Sequence, residues 1–310
     1  MPEAHCAFAS VPLVFHRKSL LMLYNLWVMP NEQNQSQPAL QKAPIGVFDS
    51  GMGGLSVLKE LVRLLPEEHF IYLADTLNCP YGQKSDAEIQ RLSLNVMHFL
   101  QDQGVKSLVV PCNTASAAAL QTLREDAGPD FPVVGLVPAV KPAVERTRTG
   151  TVGVLATEGT LRGRLLQEVI EQFAQPRNVT VLKATHPELV PLVESAQLNT
   201  PYTREVLQQT LQPLIDAGMD HLVLGCTHYL FLKEALGLLY PNLTLLDSGF
   251  AVAKQTRRVL TEKQLLSEGT TGKVTVFTTG EPNAVAPIVQ TLWGEPMVVH
   301  RATPRKEEHA

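Results

Sequence analysis

Ser107-Leu-Val-Val-Pro-Cys112-Asn-Thr-Ala-Ser116 and His221-Leu-Val-Leu-Gly-Cys226-Thr-His-Tyr229 are two versions of one local pattern: an apolar run, a cysteine, then Asn/Thr-rich polar residues. Each short apolar run, bounded by polar residues, reads as a buried strand. Each cysteine therefore stands at a strand's carboxyl end, where a helix begins, and open parallel sheets form their ligand crevices there. Two such thiols, facing each other across one substrate, would suit proton transfer on both faces of a carbon.

Around these two segments, the chain from Pro44 to about Arg301 alternates strand and helix signals. Ile45–Phe48, Phe70–Ala74, Leu108–Pro111 and Val133–Val137 read as strands, with helices expected over Leu55–Leu65 and Asp86–Gln103 and in the alanine-rich stretch after Cys112. The pattern then restarts. Ile45-Gly-Val-Phe-Asp-Ser is echoed by Val152-Gly-Val-Leu-Ala-Thr at an offset of 107 residues, and the cysteine segments are offset by 114. Pro132-Val-Val-Gly-Leu-Val-Pro is echoed in turn by Asn242-Leu-Thr-Leu-Leu-Asp-Ser. Echoes in one order at similar offsets predict two similar α/β halves, each a doubly wound parallel sheet covered by helices on both faces. A helix over Ala251–Leu266, a strand over Lys273–Thr278 and a helix around Ala284–Leu292 finish the pattern. Residues 302–310 read as a charged, frayed tail.

Composition narrows the function classes. With 310 residues, 45% apolar and 18% charged, the chain is long enough for two cored domains and is ordinary for a globular protein. Its net charge of −4 gives no electrostatic footprint for nucleic acid or an anionic membrane. Four cysteines without a Cys-x-x-Cys pair or a His/Cys cluster argue against a disulfide framework and a structural metal, and so for a reducing cytoplasm. Leu20–Met29, after His16-Arg17-Lys18, superficially resembles a secretion signal. The run is interrupted by Asn25, is too short for a bilayer and lacks a small-residue cleavage site. Residues 1–43 are expected to be a poorly ordered or helical extension, with Met22 and Met29 as alternative starts.

A thiol acts as base or nucleophile only as thiolate, and a helix amino end lowers its pKa, so Cys112 and Cys226 are the candidates for chemistry. Buried cysteine is also a common small core residue. Cys6 and Cys79 lack this matched strand-end placement and read as incidental. Asp49-Ser50 ends the first strand before Gly51-Met-Gly53-Gly54, a turn able to cradle an anion, although its spacing matches neither dinucleotide nor Walker motifs; a ligand carboxylate is the more modest reading. Asp49 is a base, an orienting group or a helix cap. His228, two residues after Cys226, either exchanges a proton with it or caps the next helix. Glu194 alone reads as an exposed helix carboxylate. No lysine sits in a pyridoxal-phosphate context.

Taken together, Phe48-Asp-Ser-Gly-Met-Gly-Gly-Leu-Ser56, Asp75 with Pro80-Tyr-Gly-Gln-Lys-Ser85, Cys112-Asn-Thr-Ala-Ser116, Leu224-Gly-Cys-Thr-His-Tyr229 and Leu246-Asp-Ser-Gly249 resemble glutamate racemase. The resemblance runs in order from Ile45 to Ser248 and extends plausibly to Arg301. It implies a cofactor-independent, metal-free racemase interconverting L- and D-glutamate for peptidoglycan synthesis in the cytoplasm, with its site between two α/β domains. It implies a first domain of residues 44–139 with 249–301, and a second of 140–248. By the same resemblance Cys112 takes the α-proton of D-glutamate and Cys226 that of L-glutamate. Asp49 stands beside the first thiol, and Glu194 and His228 beside the second. Asp49, Ser50, Tyr81, Gly82, Asn113, Thr114, Thr227 and His228 become the substrate contacts. The residues leave open whether a peptidoglycan precursor activates the enzyme, as in some relatives with amino-terminal extensions. The residues are silent on oligomeric state, with a homodimer entertained. An aspartate-specific racemase, an amino-acid-binding protein and a thiol switch are the competing readings; Thr227-His228-Tyr229 favours glutamate over aspartate.

Overall fold

The computed structural model describes residues 37–269 and 271–304. Expectations for the extension before Gln37 and for the tail beyond Pro304, Cys6 included, lie outside the described residues. Pro38–Ala310 forms one compact unit, and it carries both sheets.

Ten strands among the described residues fall into two all-parallel sheets. Strands β1 (Ile45–Asp49), β2 (Phe70–Ala74), β3 (Ser107–Val110), β4 (Val133–Gly135), β9 (Val274–Thr278) and β10 (Val299–Arg301) form the six-stranded sheet, in the order β10-β9-β2-β1-β3-β4. Strands β5 (Thr151–Ala156), β6 (Thr180–Ala184), β7 (His221–Gly225) and β8 (Thr244–Leu246) form the other, in the order β6-β5-β7-β8. The chain leaves the first sheet after Gly135 and returns to it at Val274. Central strands β1, β3 and β7 are buried along their whole length, as near-continuous Val/Leu/Ile runs in a parallel sheet must be.

Both sheets place their first strand between their second and third. In one, β1 pairs with β2 on one side and β3 on the other, with Ile45 opposite Ser107; in the other, β5 pairs with β6 and β7, with Val152 opposite His221. The chain thus reverses its winding direction between β1 and β3 and between β5 and β7, and such a reversal opens a crevice beyond the strand ends. Asp49 and Cys112 lie at one crevice, Thr157 and Cys226 at the other.

Local chemistry fixes the connections. Ser85 caps the helix Asp86–Asp102 by accepting from Glu88 N at 3.2 Å, and Thr200, followed by Pro201 in the first turn, caps Pro201–Asp216. Gly128 and Gly294 end helices at φ 74° and 104°, where a side chain would be strained. At the opposite end of the six-stranded sheet, the Lys106 ammonium is fully enclosed. It meets Glu68 at 2.5 Å, Ser267 Oγ at 3.1 Å and the Gln41 carbonyl at 2.5 Å. Burial pushes the Lys106 pKa down against the pull of Glu68, and the hydrogen-bonding partners keep the enclosed charge from standing alone.

The observed elements differ from the sequence reading mainly at their ends. The Val133–Val137 strand stops at Gly135, and the Ala251–Leu266 helix runs instead from Gly249 to Glu262. Strand β10 falls outside the expected elements, because Val299-His-Arg is too short and polar to give an apolar signal. The expected fraying is absent at Ala302, which is 2% exposed and donates to the Thr278 carbonyl.

Candidate active site

The loops beyond β1, β2, β3, β5 and β7 close on one cavity with about 10 Å³ of free space, lined by Ser50, Tyr81, Gly82, Asn113, Thr114, Thr227 and His228 together with both Cys112 and Cys226. Two sulfurs 114 positions apart in the chain thus border the same space. The described cysteines Cys79, Cys112 and Cys226 are all free thiols. Pro80, Thr157 and Val190 complete the lining; sequence reasoning missed them because an ordinary proline, threonine and valine carry no chemical signal.

The two thiols have different surroundings. Cys112 caps the helix Asn113–Ala127, with its sulfur accepting from Ala115 N at 3.4 Å and lying 3.6 Å from Ser50 Oγ. The sequence predicts a thiol acidified by that helix end. Instead, burial first and the Asp49 charge second push its pKa far above the ordinary thiol range, so it rests as neutral SH. The reason is one of magnitude: a helix end is worth about 0.3–1 kcal/mol, whereas full burial moves a pKa by up to roughly 3–5 units.

Asp49 is 0% exposed and is not among the residues that line the cavity. Its carboxylate is already occupied by Ser50 N at 2.7 Å, Ser50 Oγ at 3.3 Å and Thr227 Oγ1 at 2.9 Å. Nor does it cap the next helix, since Gly54 holds that position. Burial raises the Asp49 pKa above the usual carboxylate value, although His228, Thr227, Cys112 and Ser50 all pull it down.

Cys226 precedes a 3₁₀ turn, Thr227–Leu232, rather than an α-helix. Its sulfur lies 3.6 Å from His228 Nδ1, and His228 Nε2 lies 2.6 Å from Glu194 Oε1. Burial opposes charge on His228, yet contacts with Cys226, Cys79 and Glu194 win and hold its pKa well above that of a free imidazole. A cationic imidazole beside a sulfur is the usual means of stabilising a thiolate. Glu194 is therefore not a solvated helix carboxylate but the outer member of a Cys226–His228–Glu194 chain. Cys79, read as incidental, also meets this group: its sulfur lies near both the His228 ring and Glu194, and burial pushes its thiol up to about 11.

The glycine-rich turn finds an anion, but the anion belongs to the protein. Met52 N donates to Glu194 Oε1 at 2.6 Å, Ser56 Oγ donates to the Thr227 carbonyl at 3.2 Å, and Tyr72 OH donates to the Gly51 carbonyl. The turn thus couples the loop after β1 to residues carried by the four-stranded half. Tyr81, whose OH meets Asp75 Oδ2 at 2.6 Å, is held by a buried network in which Asn78 and Thr279 also donate to Asp75. Asn113 Nδ2 is buried without a partner. A buried amide donor without an acceptor is costly unless a ligand supplies one, and this donor belongs to a cavity-lining residue.

Comparison with known proteins agrees with this architecture. The family described as Asp/Glu/Hydantoin racemase matches residues 45–256. A glutamate racemase of Deinococcus radiodurans is 52% identical over 260 residues, covering 83% of this chain and 89% of that one. A crystal structure of a glutamate racemase isoform from Bacillus anthracis superposes with a TM-score of 0.77 at 33% identity, covering 86% of this chain and 100% of the other. An Escherichia coli glutamate racemase, crystallised with L-glutamate and the activator UDP-MurNAc-Ala, gives 0.72 at 33% identity, covering 84% and 97%. Two parallel sheets, paired strand-end thiols in one cavity and a family match over most of the chain lead to one conclusion: the chain belongs to the Asp/Glu/hydantoin racemase family.

Proposed function

We propose that this chain racemises glutamate by two-thiol proton transfer, supplying D-glutamate for peptidoglycan. The observation that carries the reading is that Cys112 and Cys226 border one closed cavity with different proton partners. Cys226, beside cationic His228, removes the α-proton of L-glutamate, while neutral Cys112 gives a proton to the opposite face. In the reverse direction the Cys112 proton passes to Asp49, whose raised pKa suits a proton acceptor. Ser50, Asn113, Thr114 and Thr227 supply hydroxyl and amide donors to the substrate carboxylates, the α-carboxylate gaining charge as the carbanion forms.

With only about 10 Å³ of free space the cavity falls far below the roughly 300–1,000 Å³ of ordinary ligand pockets. Substrate entry therefore requires the two halves to part, and closure dries the site and strengthens every dipole aimed at the carbanion. A hinge between residues 44–139 with 249–301 and residues 140–248 accommodates this motion.

Deuterium wash-in tests the assignment. Incubated in heavy water, L- or D-glutamate loses its α-proton NMR signal as the enantiomers equilibrate; no exchange with either one ends the racemase reading, and exchange with aspartate alone transfers it to that substrate. By the likeness to the Escherichia coli enzyme, a uridine-nucleotide peptidoglycan precursor activates the chain, so the same assay is run with and without one. An unchanged rate removes the activator.

The pH dependence follows from the site's charges. Active enzyme needs Asp49 ionised and His228 protonated. As pH falls, kcat/KM declines where Asp49 takes a proton, which burial places above the ordinary 3.8; as pH rises, it declines where His228 loses one, above the ordinary 6.5. A bell-shaped profile is expected, and a basic limb at the free-imidazole value would contradict a cationic His228.

A further inference from the structure

None of these proton steps uses Cys79. Its sulfur, one Glu194 carboxylate oxygen and one His228 ring nitrogen lie within 4.8 Å of one another. Thiol, imidazole and carboxylate are the donor set that Zn²⁺ takes at sites with an open fourth position, whereas magnesium and calcium prefer oxygen alone. Zinc bonds of roughly 2.0–2.3 Å put tetrahedral ligand atoms some 3–4 Å apart. The three donors already lie close to that spacing, and an ion seats among them once the 2.6 Å His228–Glu194 contact opens, with Glu194 Oε1 also released from Met52 N or the ion taken by its other oxygen.

Access is a separate observation. Cys79 also lines an open groove of about 420 Å³ with Asn78, Pro80, Gln83, Lys84 and Glu88, of which Pro80 alone also borders the substrate cavity. Behind Cys79 lies the buried His228, so this residue joins an outer groove to the proton machinery of the second thiol. An ion has a route to the sulfur that does not pass the closed cavity.

We propose that Cys79, Glu194 and His228 form an inhibitory site for Zn²⁺ or a cation of the same class. Binding displaces the Cys79 thiol proton and the imidazole proton at the ligating nitrogen, both released to water, and nothing is oxidised or reduced. The bound ion holds Glu194 and the His228 ring in its own coordination geometry, so His228 no longer serves Cys226. The inhibitory consequence rests on the racemase reading; the binding itself does not.

The test uses the full chain stripped of metal, with two readouts: zinc affinity by competition with a chromophoric chelator, and deuterium wash-in at buffered free zinc. We expect one ion per chain and inhibition reversed by chelator. Cys79→Ala and Cys79→Ser should each weaken binding at least tenfold and raise the half-inhibiting zinc concentration by the same factor, each variant compared with its own zinc-free rate. No zinc binding by the wild-type chain overturns the proposal. So does unchanged affinity in both variants, which places the ion on Cys112 or Cys226, and so does binding without inhibition of an active enzyme. A chain that bound zinc through Cys79 yet never exchanged the α-proton would refute the racemase reading and leave the site standing.

Discussion

Cys226→Ala and Cys112→Ala are each expected to abolish interconversion of the glutamate enantiomers, lowering kcat/KM by at least about 10²–10⁴-fold, the usual contribution of a positioned acid or base. The loss must be equal in both directions. Enantiomers have the same free energy in water, so the ratio of the forward and reverse kcat/KM values stays at one whatever the mutation. Asymmetry is confined to partial reactions, and there the variants should separate. In the proposed scheme Cys112→Ala retains the thiol that faces L-glutamate, and that thiol, after trading its proton with solvent, can return deuterium to the face it came from. L-Glutamate then exchanges its α-proton without inversion while D-glutamate stays inert. Cys226→Ala shows the mirror image, with slower exchange, because the Cys112 thiol rests protonated against burial and the Asp49 charge. NMR for exchange and chiral chromatography for inversion distinguish the outcomes. Near wild-type racemisation by either variant would overturn the two-thiol scheme, and exchange of both enantiomers by one variant would point to a single mobile base.

How much of this was legible in the sequence depended on whether the signal was local. The strands around Phe48, Val109 and Leu224 and the helix starting at Asp86 rest on neighbouring residues, and their patterns give them correctly. The duplicated winding was legible because Ile45-Gly-Val and Val152-Gly-Val occupy equivalent strands, each flanked by the next two strands of its own half. Relations across the cleft were not legible. Glu194 meets Met52 N over 142 residues of separation and Thr227 meets Asp49 over 178, and no spacing rule reaches so far. The contacts of Cys79 were lost for the same reason, since Glu194 and His228 come from the other half of the chain. The expected acidity of Cys112 failed differently: the helix amino end was read correctly, but the larger opposing effect, burial beside Asp49, exists only once the chain has folded.

Gly53→Ala carries the other large effect, and it tests the coupling of the glycine turn to the second thiol. A β-carbon at residue 53 would lie 2.4 Å from His228 Nδ1 and 2.6 Å from Thr227 Oγ1, distances no real contact holds. His228 is itself held between Cys226 and Glu194, and Thr227 is tied to Asp49, so neither can yield without giving up a site interaction. Glycine is needed there for space rather than for backbone freedom, because Gly53 is not among the glycines with positive φ. Misplacing a catalytic group by about 1 Å can cost roughly 10²-fold, and here one methyl displaces partners of both thiols. We expect kcat/KM to fall by about 10²-fold or more, with circular dichroism unchanged. Gly237→Ala is the control: that glycine lies in the helix Lys233–Leu239, where an added methyl would meet nothing within 4 Å, so activity should hold while stability rises by about 0.4–1 kcal/mol. If Gly53→Ala turned over as fast as Gly237→Ala, the turn would have slack that the packing around His228 denies, and the close approach of the two halves would not be what aligns the imidazole with the Cys226 sulfur.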